Sequence, residues 1–442
     1  MNPDIIRSYI LETFASIYQI PTSIKITYGD ESEGDIVIKK GNVSFFNHSQ
    51  SLPEDFAWHT WRDQLLPFPL DSEENQGIIT ASGNQVHINY DIFAASFYFL
   101  SSWQEIHQTE TDSYGRFSYK SSFQYKYDLM LLPVVNYYFD ILKTAIERHT
   151  GSALSRKNSE ASFTAFLSHD IDQIHSGWKE DSKFELKRGN LLEAASILSN
   201  RITSEQDEWN NLDVIVELEK MLGVVSTFFF LAKKSEVDAD YLIKDVEGYF
   251  DMIEEAGSEI GVHGSIGSGF DGKKLKEEIN SIGRNIFGNR FHYLQNNVKI
   301  TPQILDEAEL HYDSSLCFDD YIGFRNGFCF PFRPFNFATR KAYKHLQIPL
   351  LVMDSTLKFE EFMGHQSYPE VKEQVDQIIG EVEKFGGVFT LLWHNTFFTD
   401  HMYAGWGPRY IQIVQELKNK GAEFVTGSVL TERIRKLRLV EA

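Results

Sequence analysis

The sequence predicts an α/β fold: a parallel sheet, closed or open, preceded by a smaller α+β unit. Three observations carry the prediction. After residue 161, short apolar runs alternate with amphipathic helical patterns, as strand–helix repeats in a parallel sheet do. Residues 150–161 are small, polar and charged, which marks a boundary. Before that boundary the chain mixes short strands with two clear helices instead of alternating. At 442 residues the length suits two domains, placed at 1–150 and 160–442.

Taken in order, residues 1–20 read as an amphipathic helix. Asp4, Arg7 and Glu12 interrupt its apolar positions, so it does not read as an export signal. Residues 35–39 and 43–46 flank Lys40-Gly41-Asn42 as a hairpin-like pair. Residues 91–106 form an apolar helix with Asp91 as its cap, and 133–148 form a second helix. A polar, tyrosine-rich segment around Asp112-Ser113-Tyr114-Gly115-Arg116 lies between them. His48, His59, His87 and His107 are scattered and make no chemical cluster. Beyond the boundary, strands are expected at 163–167, 226–231, 259–263, 350–353 and 388–393. Helices separate them at 212–222, 241–256, 273–286 and 302–309, and 178–207 reads as an inserted, charged helical excursion.

Composition narrows the function. The apolar share of 42% supplies a large core, which excludes wholesale disorder. The formal net charge of −21 repels phosphate backbones, so no nucleic acid partner is expected and neutral or cationic substrates fit better. No apolar stretch approaches the ~18 residues that span a bilayer. Cys317 and Cys329 offer neither a ligand spacing nor a disulfide framework, which points to reduced thiols and a cytoplasmic protein.

The residues that carry chemistry sit where strands end. In an α/β barrel such residues converge on one mouth. Here those ends carry Asp170 and Asp172, then His263, then His394, with Arg290-Phe291-His292-Tyr293-Leu294 between the last two. Two carboxylates two residues apart on a strand point the same way and repel, unless a cation lies between them or one holds a proton. Imidazole nitrogens and a carboxylate oxygen are zinc donors. A rival reading makes the glycine-rich stretch 261–269 a phosphate cradle, with Gly267 and Gly272-Lys273-Lys274 as a near-miss to the Walker pattern. It lacks the Ser or Thr that would hold magnesium.

From about Phe163 to Leu437 the chain resembles the polysaccharide deacetylase family, the NodB-homology or carbohydrate esterase 4 group. Ser168-His169-Asp170-Ile171-Asp172 is similar to its first motif and Val262-His263-Gly264-Ser265 to half of its histidine motif. Arg290-Phe291-His292-Tyr293 is similar to its Arg-x-Pro-aromatic motif. His311-Tyr312-Asp313-Ser314-Ser315 lies where the fourth is expected, and Leu391-Leu392-Trp393-His394 is similar to the last. The resemblance implies a distorted (β/α)7 barrel. It likens residues 1–150 to the extra N-terminal domain that accompanies a bacterial branch of such proteins.

The resemblance also implies an activity: metal-dependent hydrolysis of an N-acyl group, most simply an acetamide, on an amino-sugar glycan or glycoconjugate. Two departures bear on it. The family's second metal histidine falls at Gly267, and the proline of the third motif is His292. The expected ligand set is therefore Asp172, His263 and His292 around a divalent metal, zinc by default. Asp170 is expected as general base with Arg290 as its partner. His394 is expected as general acid with Asp313 hydrogen-bonded to it. Tyr293, Trp393, Arg325 and Arg333 are expected to contact substrate. The alternatives are a deformylase or amidase acting on a small or lipid-linked substrate, and an inactive carbohydrate-binding relative.

Overall fold

Strand β1 (Phe163–Ile171) is apolar and buried along its whole length, and it forms the middle of the larger sheet. The computed structural model describes the chain except residues 30–32, 55, 72–76, 158–160, 205–206, 359–366 and 440–442. Three residues of the expected boundary segment, 158–160, thus lie outside the described residues, as do 205–206 of the helical excursion. Eight further strands follow: β2 (Ser226–Leu231), β3 (Glu259–Gly264), β4 (Gly288–Phe291), β5 (Tyr312–Asp313), β6 (Leu346–Gln347), β7 (Val352–Met353), β8 (Val388–Leu392) and β9 (Ala422–Phe424). They run in the order β6-β5-β4-β3-β2-β1-β8-β7, with β9 also paired to β1. Every pairing is parallel. Among the described residues β6 and β7 do not pair with each other, so the sheet is a curled half-barrel and not a closed ring.

Near-continuous apolar runs suit strands covered on both faces. Helices Leu212–Leu222, Gly272–Ile282, Tyr368–Phe385 and Trp406–Asn419 each bury an apolar stripe. The expected excursion is a pair of helices, Gly177–Lys187 and Leu191–Ser204. The expected helix at 241–256 is interrupted: Ile243–Val246 and Phe250–Glu255 flank a 3-10 turn, Glu247–Tyr249. Gly248 in that turn has a low helix propensity, which weakens the run there.

Residues 1–150 build a separate four-stranded sheet from Ile26–Tyr28, Ile36–Ile38, Gln85–Ile88 and Ile79–Ser82. Helices Pro3–Ala15, Ile92–Leu100 and Val134–Thr150 accompany it. Asp91 does cap its helix, accepting from the Ala94 N–H at 2.8 Å. The hairpin expected at 35–46 is corrected. Ile36–Ile38 pairs in parallel with both Ile26–Tyr28 and Gln85–Ile88, and Val43–Asn47 is a 3-10 helix. The physical reason is that adjacent Phe45 and Phe46 are both buried, against Tyr98 and Phe97. A strand would send them to opposite faces.

One buried apolar cluster runs from Ile6 and Ile10 through Phe97 and Val135 to Phe328, Leu391 and Leu417, so the N-terminal unit is packed directly onto the half-barrel. No helix among the described residues is long and apolar enough to cross a membrane.

Candidate metal centre and acid–base site

Parallel register brings the strand ends together. Arg290 on β4 lies level with His263 on β3, and Ser168 on β1 lies level with Leu392 on β8. Just beyond the strands, Asp172 and His292 by one residue and His394 by two, these three side chains face the same space. Asp172 Oδ1 is 3.2 Å from His263 Nε2 and 3.8 Å from His292 Nε2. Its other oxygen is 3.6 Å from His394 Nε2. One donor atom from each of Asp172, His263 and His292 lies within 4.8 Å of the other two.

The residues fit a metal. Asp172 Oδ1 is buried and accepts no hydrogen bond, which is costly for a carboxylate oxygen unless a cation takes it. The imidazoles are turned the right way. His263 Nδ1–H donates to the Arg290 carbonyl at 2.8 Å, and His292 Nδ1 is 2.9 Å from Asp238 Oδ1. With Nδ1 spent on an acceptor, each Nε2 is turned toward Asp172, the arrangement that orients metal-binding histidines. Burial works to raise the Asp172 carboxyl, but His292, with His263 and His394, holds it well below the usual carboxylate range. Burial works to lower His263, but the Asp170 and Asp172 carboxylates hold it above the usual imidazole value. The pocket therefore favours positive charge beside Asp172.

Asp170 stands beside this group. Arg290, fully buried, donates to Asp170 Oδ1 at 2.9 Å, to Ser168 Oγ at 2.8 Å and to the Ser314 carbonyl at 2.9 Å, and its guanidinium lies 4.7 Å from the Phe229 ring centroid. Asp170 Oδ2 is 3.7 Å from His263 Nε2. One oxygen is thus pinned and the other faces the donor cluster.

His394 is held by Asp354. The Asp354 carboxylate lies 2.8 Å from His394 Nδ1 and accepts the His394 backbone N–H at 2.6 Å. Burial works against protonation of His394, but the Asp354 charge and hydrogen bond push its pKa up to about 10. The expectation that Asp313 does this is corrected. Asp313 accepts from Asn289 and from Ser315 Oγ, each at 2.7 Å, and ties β4 to the following loop. It sits on β5, far along the sheet from β8, whereas Asp354 follows β7, the neighbour of β8.

Three of the expected substrate contacts are also corrected. Trp393 is fully buried and packs on Trp406 and Tyr410, because successive residues point to opposite sides and His394 takes the cleft side. Arg325 forms a buried ion pair with Glu105 at 2.6 Å. Arg333 lines a crevice against Tyr9 and Glu12, away from the cleft. Tyr293 remains: it is 40% exposed and lines a cleft of ≈ 550 Å³ together with Tyr114, Arg116, Trp209, Glu236 and Tyr403. The phosphate-cradle reading fails on its donors. The Ile266 N–H goes to Asp238 and the Gly267 N–H to Gln295 Oε1, so neither is offered to an anion.

Fold and site define a class: a parallel half-barrel whose strand ends gather an Asp–His–His donor set, an arginine-pinned aspartate and an aspartate-held histidine. A family of unknown function, DUF7033, matches residues 7–151. No curated protein matches the chain. Among solved structures the chain is similar to a protein of Mycobacterium smegmatis assigned as a polysaccharide deacetylase, at 15% identity and TM-score 0.41, over 64% of this chain and 94% of that one. The Puue allantoinase aligns at 12% identity and TM-score 0.38, over 62% and 90%. A carbohydrate esterase 4 family pseudoenzyme from Bacillus anthracis aligns at 10% identity and TM-score 0.29, over 61% and 65%. All three scores are below 0.5, so the fold stands on the strand order above and the chemistry on the side chains.

Proposed function

We propose that the chain is a metal-dependent hydrolase that removes an N-acyl group, most simply acetyl, from an amino-sugar-containing glycan or glycoconjugate. The observation that carries this reading is Asp172 Oδ1, a buried, unbonded carboxylate oxygen facing two imidazole nitrogens whose partner nitrogens are already committed. Asp172, His263 and His292 would hold the ion, zinc by default. A divalent ion bound there supplies Lewis acidity, lowering the pKa of water toward about 7 and polarising a carbonyl. Asp170 takes the water's proton on the oxygen that Arg290 leaves open, and Arg290 keeps that carboxylate aimed. His394, kept protonated by Asp354, gives its proton to the leaving nitrogen. Tyr293 offers an aromatic face to a sugar ring at the cleft rim, and the acidic cleft suits a product amine that becomes cationic.

The chain is read as an N-terminal unit, 1–150, docked on a distorted (β/α)7-type barrel, 160–442. The separate sheet of the first unit and the family match at 7–151 support the division. Free, buried Cys317 and Cys329 support a reducing, cytoplasmic setting. The test is product release from N-acetylated and N-formylated amino sugars by zinc-loaded protein. Acetate release that falls about 10²–10⁴-fold in Asp170→Asn supports the reading. Formate alone moves the assignment to a deformylase, and no release of either by protein that carries metal defeats it.

A further inference from the structure

The polar segment at 112–117 belongs to the N-terminal unit, yet it reaches the turn that follows His292. Arg116 donates to Asp112 at 2.6 Å, to Asp319 at 2.9 Å and, across the junction, to the Tyr293 carbonyl at 2.8 Å. Its side chain is only 11% exposed. The Tyr114 ring stacks on Tyr293 with centroids 4.7 Å apart and planes 12° from parallel. Gln295 Nε2 donates to the Tyr114 carbonyl at 3.1 Å. Three contacts thus run from this segment to the four residues that begin at His292.

That turn needs an external hold. Tyr293 has φ 55° and Leu294 φ 53°, and for residues with a Cβ this left-handed conformation costs roughly 1–2 kcal/mol each. His292 immediately precedes the strained pair; its Nδ1 lies at hydrogen-bond distance from Asp238, and its ring packs on His263 and on Tyr293 itself. Relaxation of Tyr293 and Leu294 toward ordinary dihedrals would swing the His292 backbone and carry Nε2 off Asp172.

We infer that segment 112–117 of the N-terminal unit is a strap that completes the metal centre of the barrel, with Arg116 as a positioning residue for His292 and Tyr114 as part of the cleft wall. The inference gives a role to a unit whose matching family has none assigned. It rests on the metal reading of Asp172, His263 and His292. Arg116 touches none of the donor atoms; it acts through the Tyr293 carbonyl. A lysine at 116 reaches one of its three acceptors at a time, where the guanidinium fork reaches all of them.

The experiment is zinc titration of the full-length protein against a chelating indicator, with melting temperature followed in parallel, for wild type, Arg116→Ala and Arg116→Lys. The expected result is a zinc Kd raised about 10-fold or more in Arg116→Ala, with partial recovery in Arg116→Lys. A purely structural docking contact would lower the melting temperature and leave Kd unchanged, and that outcome overturns the inference. If Arg116→Ala does not fold, Arg116→Lys decides alone: a wild-type Kd overturns the strap and a raised Kd supports it. Wild type that binds no zinc at all instead defeats the metal reading beneath it.

Discussion

Replacing Asp354 by Asn tests the acid–base half of the site. Asp354 is fully buried, and its two oxygens meet His394 at Nδ1 and at the backbone N–H, at 2.8 and 2.6 Å. Asparagine keeps the shape and an accepting oxygen but removes the charge. The His394 pKa of about 10 compares with an ordinary value near 6.5, a preference for the protonated form of about 5 kcal/mol. Asp354 is the largest force behind that rise. If loss of its charge returns His394 to about 6.5, the protonated fraction near pH 8 falls about 30-fold, while near pH 6 it falls by less than half. The assay has two arms: NMR titration of the histidine ring in metal-free protein, and the ratio of deacylation rates near pH 8 and pH 6. The sign is fixed for stability as well. A histidine whose folded pKa is raised contributes stability that is complete below its unfolded value and is lost as pH rises through about 10. A variant whose His394 titrates as in wild type, or whose rate ratio does not move, refutes the reasoning.

Two further substitutions, at Gly267 and Arg325, have defined outcomes. Gly267 has φ 85°, so Gly267→His should cost about 1–2 kcal/mol of stability without tightening zinc binding, as melting and titration will show. Arg325→Ala leaves Glu105 buried without its partner, which should cost about 3–5 kcal/mol and lower the melting temperature, while KM in the surviving enzyme stays unchanged.

Asp172 and His263 were legible as candidate donors because Asp172 follows the apolar run at 163–167 and His263 ends the run at 259–263, and the same pattern marked Asp170 and His394; His292 follows a strand with no such run. The same signal marked Asp354, which directly follows the apolar run at 350–353, but a lone acid at a strand end has no second chemical group beside it to single it out. Strand β4, Gly-Asn-Arg-Phe, was invisible for a different reason. Its Arg290 is buried because Asp170, Ser168 and Ser314 engage the guanidinium, and Asn289 donates its side-chain N–H to Asp313; hydropathy does not register polar groups bonded to remote partners. Asp238, on the loop after β2, carries no local signal at all; only the fold brings it to His292. Trp393 and Arg325 misled because an aromatic or an arginine near a motif looks like a substrate contact, whereas strand alternation and a buried acid from the N-terminal unit decide their fate.

Anomalous diffraction at the zinc edge from crystals of zinc-loaded protein decides whether Asp172, His263 and His292 share one ion. One strong peak is expected at about 2.0–2.2 Å from Asp172 Oδ1, His263 Nε2 and His292 Nε2 together. No peak in the cleft, or a peak bound without His292, contradicts it.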